Sequence, residues 1–389
     1  MPVTTGLEHL FLSFPDPYRD ARVGVIANQA SVNRRFQHAV DLFGQCRHFR
    51  LTAAFGPQHG ARGDKQDNMI ESDDFPDPRW GIPTYSLYSR RRKPTPEMLA
   101  DLDILFCDLV DVGARIYTFL YTMALAMEAC AECGKRFVVL DRPNPINGSM
   151  VEGNVLEPDF RSFVGLYPIP MRHGMTMGEL ARLFNEEFRM GVQLEVIPIT
   201  GWKREQWYEE TDLPWIMPSP NMPCVATAAV YPGTVLIEGT HLSEGRGTTQ
   251  PFELIGAPYI DPYALTQRLE HYRLPGIHFR PCFFRPTFNK WADELCGGMQ
   301  LHVTDRCAFK PFLTGLAILL ACLQLYPKQF AWRQPPYEYE YVKLPIDILL
   351  GTDSIRKMLE EGSDLSSIEA GWQAGLREFL GKRSRYLLY

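Results

Sequence analysis

The chain lacks the glycine patterns of nucleotide-binding loops. Gly56, Gly60 and Gly63 do not space as G-x-G-x-x-G, and no G-x-x-x-x-G-K-[ST] occurs, so neither a dinucleotide fingerprint nor a Walker phosphate loop is supported. No G-x-S-x-G elbow is present, which argues against a serine esterase of the α/β-hydrolase type. Cys130 and Cys133 have no second C-x-x-C and no paired histidines at zinc spacing; they read as packing beside a helix end, and no metal is expected. Net charge is −6, and the arginines are scattered apart from SRRRK at 89–93. That run reads as a solvated loop, and no basic footprint for nucleic acid is visible. The most apolar segment, PFLTGLAILLACLQLYP at 311–327, is shorter than the roughly 20 residues of a bilayer crossing. It reads as a buried helix, with no membrane partner. The start MPVTTGLEHLFLSF lacks the charged opening and long apolar core of a secretion signal. The nine cysteines are odd in number, and Cys107, Cys282 and Cys322 sit in apolar runs. Reduced thiols and a cytoplasmic location are therefore expected.

What is present is an ordinary globular composition: 389 residues, 45% hydrophobic, 22% charged and 12% aromatic. Single cores usually stop growing near 250–300 residues, so two domains are expected. The apolar runs RVGVIAN (22–28), LTAAFG (51–56), DILFCDL (103–109) and RFVVLD (136–141) are separated by stretches able to hold a helix. That alternation signals βαβ units around a parallel sheet covered on both faces. Polar clusters follow the runs: Asn28-Gln29, the loop 57–71, Asp108 with Asp111, and the stretch from Asp141 to Pro145. Ligands of an open α/β sheet bind outside the carboxyl ends of its strands. Thr176 and Glu179 make a T-x-x-E capping box that opens a helix with Leu180, Leu183 and Phe184 on one face. The proline-rich passage 213–223 resists regular structure and reads as a connection or rigid wall. Beyond it come VLIEG (235–239), a helix from Asp261, strands near 277–285 and 299–305, the 311–326 helix and a helical tail, a second α/β region.

The loops concentrate Asp, Glu, Arg, His, Asn and Tyr, a mix that binds a polyhydroxylated, anionic ligand through hydrogen bonds and guanidinium forks. Carbohydrate fits it. Cleaving a glycosidic bond calls for one protonated carboxyl and one ionised carboxylate. The loop carboxylates are Asp64, Asp67, Glu71, Asp108, Asp111, Glu152, Glu238 and Glu244. Each has a plain alternative role as a cap of backbone N–H groups. Glu152 and Glu238 are glycine-flanked, which permits close approach of a ligand or a tight turn. His59 and His173, each followed by glycine, are either acid–base groups or donors that fix a loop. Arg115 and Tyr117 either anchor a sugar or cap the following helix. Arg246, among glycines, suits an anionic partner. Trp202, Trp207 and Trp215, near prolines, serve packing more often than sugar stacking.

The motifs DVGARIYTFLYTM, DRPNPINGSMVEG, RHGMTMGELA, SPNMP, YPGTVLIEGTHLSEGRGTTQPFELIGAP and GGMQLHVTDR together resemble the NamZ-type exo-β-N-acetylmuramidases, over nearly the whole chain. The resemblance implies a Rossmann-like parallel-sheet domain over residues 1–225 and a smaller α/β domain over 226–389, with the cleft between them. It also implies release of N-acetylmuramic acid (MurNAc) from the non-reducing end of peptidoglycan fragments, without a cofactor. MurNAc carries a lactyl carboxylate, which gives Arg246 or Arg172 a partner. The family reads P-E-H-G where this chain has Pro57-Gln58-His59-Gly60, and that glutamate is the expected catalytic acid. An amide supplies no proton at neutral pH. The expectation is therefore that Glu71 takes over as acid, with Glu152 or Asp111 as second carboxylate and His59 alongside. Gln58, Arg62, Arg115, Tyr117, Arg172, His173, Asn221, Glu238 and Arg246 are expected to bind sugar. Two alternatives stay open: a saccharide-binding protein that lost its acid at Gln58, or a hydrolase of a different amino sugar or sugar acid. Oligomeric state is left open.

Overall fold

The structure, a computed structural model, describes residues 2–13, 16–61, 63 and 70–389. Strands β1 (Arg22–Ala27), β2 (Arg50–Gly56), β3 (Phe75–Pro76), β4 (Pro83–Ser86), β5 (Ile104–Asp108), β6 (Arg136–Leu140) and β9 (Gln193–Ile197) form one sheet in the order β3-β4-β2-β1-β5-β6-β9. Its neighbours run parallel except β3 against β4. Between β6 and β9 the chain makes a separate antiparallel pair, β7 (Glu152–Val155) with β8 (Pro170–Arg172). The four sequence runs are thus β1, β2, β5 and β6, and the mixed α/β class with its mostly parallel sheet is as expected.

These strands are apolar throughout because both faces are covered. Val23, Val25, Ile104, Phe106, Val138 and Leu140 point to a core closed by helices α1 (Gly6–Leu12) and α2 (Ala39–Gln45). The alternate residues Ile26, Leu105, Cys107, Phe137 and Val139 enter the main core. There they meet α4 (Phe119–Glu132) and α5 (Met177–Glu187), while the short α3 (Pro96–Leu99) contributes Met98 and Leu99. A period of two sends successive side chains to opposite faces. The capping box at α5 forms as the sequence requires: the Thr176 side chain accepts from the Glu179 N–H, and Leu180, Leu183 and Phe184 are buried.

The main core continues without interruption into the C-terminal half. That half holds α6 (Val225–Thr234), α7 (Pro262–His271), α8 (Pro311–Leu325), α9 (Pro345–Leu350), α10 (Ser354–Glu360) and α11 (Leu365–Arg383). Its antiparallel sheet has the order β10 (Leu254–Ala257), β12 (Cys296–Val303), β11 (Ile277–Phe284). The 311–327 run is the buried α8 and the tail is α11, while VLIEG is a 3₁₀ segment continuing from α6. Helices α6 and α8 cross at Gly233 and Gly315, where a Cβ on Gly233 would lie 1.8 Å from the Pro311 carbonyl. Among the described residues no helix is long and apolar enough to cross a membrane.

Candidate active site

At the carboxyl end of β2 the Gly60 N–H donates to the Pro57 carbonyl at 3.0 Å and closes a four-residue turn. His59 sits at its third position with φ +70°, the left-handed conformation that a type II turn requires there and that glycine usually supplies. The turn presents Gln58 and His59 to a polar cavity lined also by Tyr117, Thr118, Asn221, Glu238, Arg246, Tyr337 and Glu338. Tyr117 and Thr118 come from the loop after β5, and Asn221 from the proline-rich passage, which forms one wall. Glu238 belongs to the 3₁₀ segment after α6, and Arg246 to the glycine-rich loop before β10.

Two buried carboxyls in this cavity have opposite surroundings. Burial alone would raise the pKa of Glu238, but Arg246 Nη2 donates to its Oε1 at 2.7 Å and the Tyr337 hydroxyl to its Oε2 at 2.6 Å, holding it below the usual range. Arg246 in turn lies 3.3 Å from Glu244, which also receives Lys290 at 2.8 Å. The Tyr88 hydroxyl donates to Glu338 Oε2 at 2.7 Å and Gln58 Nε2 to its Oε1 at 3.3 Å, while Thr118 Oγ1 donates to Gln58 Oε1 at 2.6 Å. Burial, with the nearby charge of Glu238, pushes Glu338 up to about 7 against these hydrogen bonds. Environments that drive two carboxyls apart are what acid–base chemistry at neutral pH requires.

The cavity thus gathers Gln58, His59, Tyr117, Asn221, Glu238 and Arg246 of the residues singled out from sequence. Others lie elsewhere. Exposed Glu71 accepts from the Tyr339 hydroxyl at 3.2 Å. Asp111 accepts from the Gly113 N–H at 2.8 Å and lies 3.2 Å from His173 Nε2. The other ring nitrogen of His173, Nδ1, accepts from the Met175 N–H, so the proton sits on Nε2, facing Asp111. Glu152 accepts from the Phe312 and Leu313 N–H groups at the start of α8. Arg115 donates to the Leu349 and Leu350 carbonyls ending α9, and Arg172 donates to the Ile146 carbonyl; burial lowers the pKa of both guanidiniums to about 10. Arg62, Asp64 and Asp67 lie outside the described residues. Asp108 is paired by both arms of Arg142, and Asn28 donates to the Pro218 carbonyl. Within SRRRK, Arg92 departs from a solvated loop: its guanidinium stacks on Tyr339, next to Glu338. A roomier cavity, 430 Å³ against 40 Å³, lies beside α2 and β4. Its Asp41 is held by Arg79 and Trp80, and Asp77 also lines it.

Glu338 was not singled out from sequence. It sits in the alternating run Tyr337-Glu338-Tyr339-Glu340-Tyr341, which has the look of an edge strand with its acids in solvent. The sequence signal was the run's own oddity, two acids framed by three tyrosines directly after a Pro-Pro pair.

Two family models, described as the N-terminal and C-terminal parts of the exo-β-N-acetylmuramidase NamZ, match residues 23–226 and 229–389. The chain belongs to the NamZ exo-β-N-acetylmuramidase family. A Bacillus subtilis protein described as peptidoglycan β-N-acetylmuramidase NamZ is 46% identical over 387 residues, covering 100% of this chain and 91% of that protein. Two crystal structures of DUF1343 family proteins from Bacteroides fragilis match as well. One has a TM-score of 0.90 at 33% identity and the other 0.79 at 30%, each covering 100% of this chain and 99% of its own.

Proposed function

We propose that this chain, a glycosidase of the NamZ family, removes MurNAc from the non-reducing end of peptidoglycan fragments, and that the reaction takes place in the cavity between Gln58 and Glu338. The observation that carries the reading is the convergence on one cavity of a strained turn at the carboxyl end of β2 with a contrasting carboxyl pair from the C-terminal half. Residues 1–225 supply the sheet and its loops, and residues 226–389 complete the cleft. Arg246 acts as the partner that keeps Glu238 ionised, since both its neighbouring carboxylates already engage it. His59, Tyr117 and Asn221 meet the sugar hydroxyls and acetamide. The 40 Å³ of free space is about that of a single water, so sugar entry moves wall side chains. A cytoplasmic place fits Cys107, Cys130, Cys296 and Cys322 as buried free thiols.

A chromogenic β-MurNAc glycoside tests this directly. Release of the chromophore, with the matching β-N-acetylglucosaminide left intact, is the expected result. Calorimetric binding of MurNAc fragments without any turnover would overturn it in favour of a saccharide-binding protein.

A further inference from the structure

We propose that the groove between β7, α10 and α11 is a second ligand site, and that it takes one neutral N-acetylated amino sugar, N-acetylglucosamine (GlcNAc). The groove shares no lining residue with the cavity at Gln58, and the proposal does not depend on the muramidase reading. Its free space of 220 Å³ falls below the roughly 300–1,000 Å³ of drug-sized pockets. That is room for one sugar ring and not for a chain.

One wall is kept open by glycine. Helix α11 contributes Ile368, Gly371, Trp372 and Gly375 to the groove, a single helix face at spacings of three and four. Glycine inside a helix costs stability relative to alanine, and close packing explains it at Gly233 and Gly315, where backbone atoms block a Cβ. No such packing operates on α11. A Cβ on Gly371 would meet nothing within 4 Å, and one on Gly375 only the Val155 Cγ2 at 3.9 Å. These two glycines leave volume where side chains would fit.

The opposite wall holds an unmet acceptor. Strand β7 has an extra residue relative to β8 between Glu152 and Val155, and Gly153 there has φ +90°; such a bulge re-aims a side chain. Asn154, in the bulge, is 7% exposed and lines the groove. Its amide N–H₂ donates to the Leu350 carbonyl at 2.8 Å and the Val155 carbonyl at 3.3 Å, which fixes the orientation of the amide. Among the described residues Oδ1 has no hydrogen-bond partner. A buried acceptor without a donor carries a desolvation penalty that a ligand N–H removes.

The rest of the lining selects the N–H. Ile355, Met358 and Trp372 make an apolar patch, with Trp372 held edge-to-face by Phe312 at 5.3 Å. An acetamide sets a methyl group beside its N–H, so one substituent fills the patch and meets Asn154. Thr352 Oγ1 and Ser354 Oγ lie 2.9 Å apart; one hydroxyl hydrogen joins them, and the other is left for a sugar oxygen. Glu157 is the only charged side chain among the described lining residues. It opposes an acid, which favours GlcNAc over MurNAc, the same sugar with a lactyl carboxylate.

The test uses protein labelled with 5-fluorotryptophan, its Trp372 resonance assigned through Trp372→Phe, and titrates GlcNAc, MurNAc and glucosamine by fluorine NMR. GlcNAc should shift the Trp372 resonance saturably, and MurNAc should bind there at least about tenfold more weakly because of like-charge juxtaposition. A Trp372 resonance unmoved by GlcNAc overturns the inference. Equal affinity for MurNAc overturns it as well, and so does tighter binding of glucosamine, whose ammonium would then be pairing with Glu157. Gly375→Leu fills the groove and should weaken GlcNAc at Trp372 at least about tenfold by steric exclusion; unchanged affinity would place the sugar elsewhere and overturn the assignment. Gly371→Leu takes its place should that variant not fold. The readout is binding at Trp372, so its failure leaves the muramidase reading intact.

Discussion

Glu152 and Glu338 are both raised by burial and do different work. Both are carboxyls that burial pushes up to about 7. Glu152 lies at the start of α8, where Lys310 makes no side-chain cap, and its oxygens take the Phe312 and Leu313 N–H groups from across the fold. All of its hydrogen bonds there are to main chain. Glu338 meets the side chains of Tyr88 and Gln58 at a cavity. A perturbed carboxyl therefore does not mark a site by itself; the identity of its partners does. Backbone partners fix a helix end, whereas side-chain partners at a cavity can give way to those of a ligand.

The contrast is tested most severely at the cation that keeps the other cavity carboxylate, Glu238, ionised. Arg246→Met leaves Glu238 and Glu244 buried without their shared guanidinium, and breaking such a pair costs about 3–5 kcal/mol. Urea unfolding should register that loss, and Arg246→Met combined with Glu238→Gln should recover part of it. Next in size is a crossed pair of effects. Glu152→Gln points an amide N–H₂ at a backbone donor, which costs about 1–3 kcal/mol, with kcat/KM within about threefold of wild type because the cavity is elsewhere. If Glu338→Gln instead proved the more destabilising of the two, the division of labour would be wrong.

The same carboxyl predicts a pH dependence of stability. In the folded protein Glu152 is raised from 4.5 to about 7, so folding takes up a proton between those values. Its contribution is full below the unfolded value and is lost as pH rises through the folded one. Glutamine resembles the protonated form and has no such slope. Wild type should therefore lose about 1–3 kcal/mol relative to Glu152→Gln between pH 5 and pH 8, read from urea midpoints at each pH. A parallel pair of curves would mean that Glu152 is ionised throughout.

Four of the sheet's seven strands, β1, β2, β5 and β6, were legible because they are short apolar runs with β-branched residues, and α5 because its capping box is local. Period and caps act over a few residues. His59, Glu238 and Arg246 were legible as polar groups beside glycine, an imprint of the turns that present them, and Gln58 as the departure from the family's P-E-H-G. Arg115 and Arg172 carry the same imprint yet hold carbonyls at Leu349, Leu350 and Ile146, because a buried guanidinium serves a chain crossing as readily as a ligand. Glu338 was not legible. Its contacts Gln58 and Tyr88 lie 280 and 250 residues away in sequence, and its hairpin uses residues that no turn preference would select.

The smallest effects concern how Glu338 is tuned. Tyr88→Phe removes a donor that favours the ionised form, so the basic limb of kcat/KM should rise by roughly one pH unit, the equivalent of a hydrogen bond to a charged group. Arg92 acts more weakly, through its charge and through its stack on Tyr339 beside Glu338. Arg92→Met removes both, and should raise the limb by a few tenths of a unit and KM by about twofold, a surface-scale effect. Arg92→Lys keeps the charge while losing the planar stack. If charge is what matters, the limb in Arg92→Lys stays at the wild-type value; if the lysine variant moves as far as the methionine one, Arg92 acts by holding the hairpin against Tyr88, and the acidity of Glu338 follows from position alone.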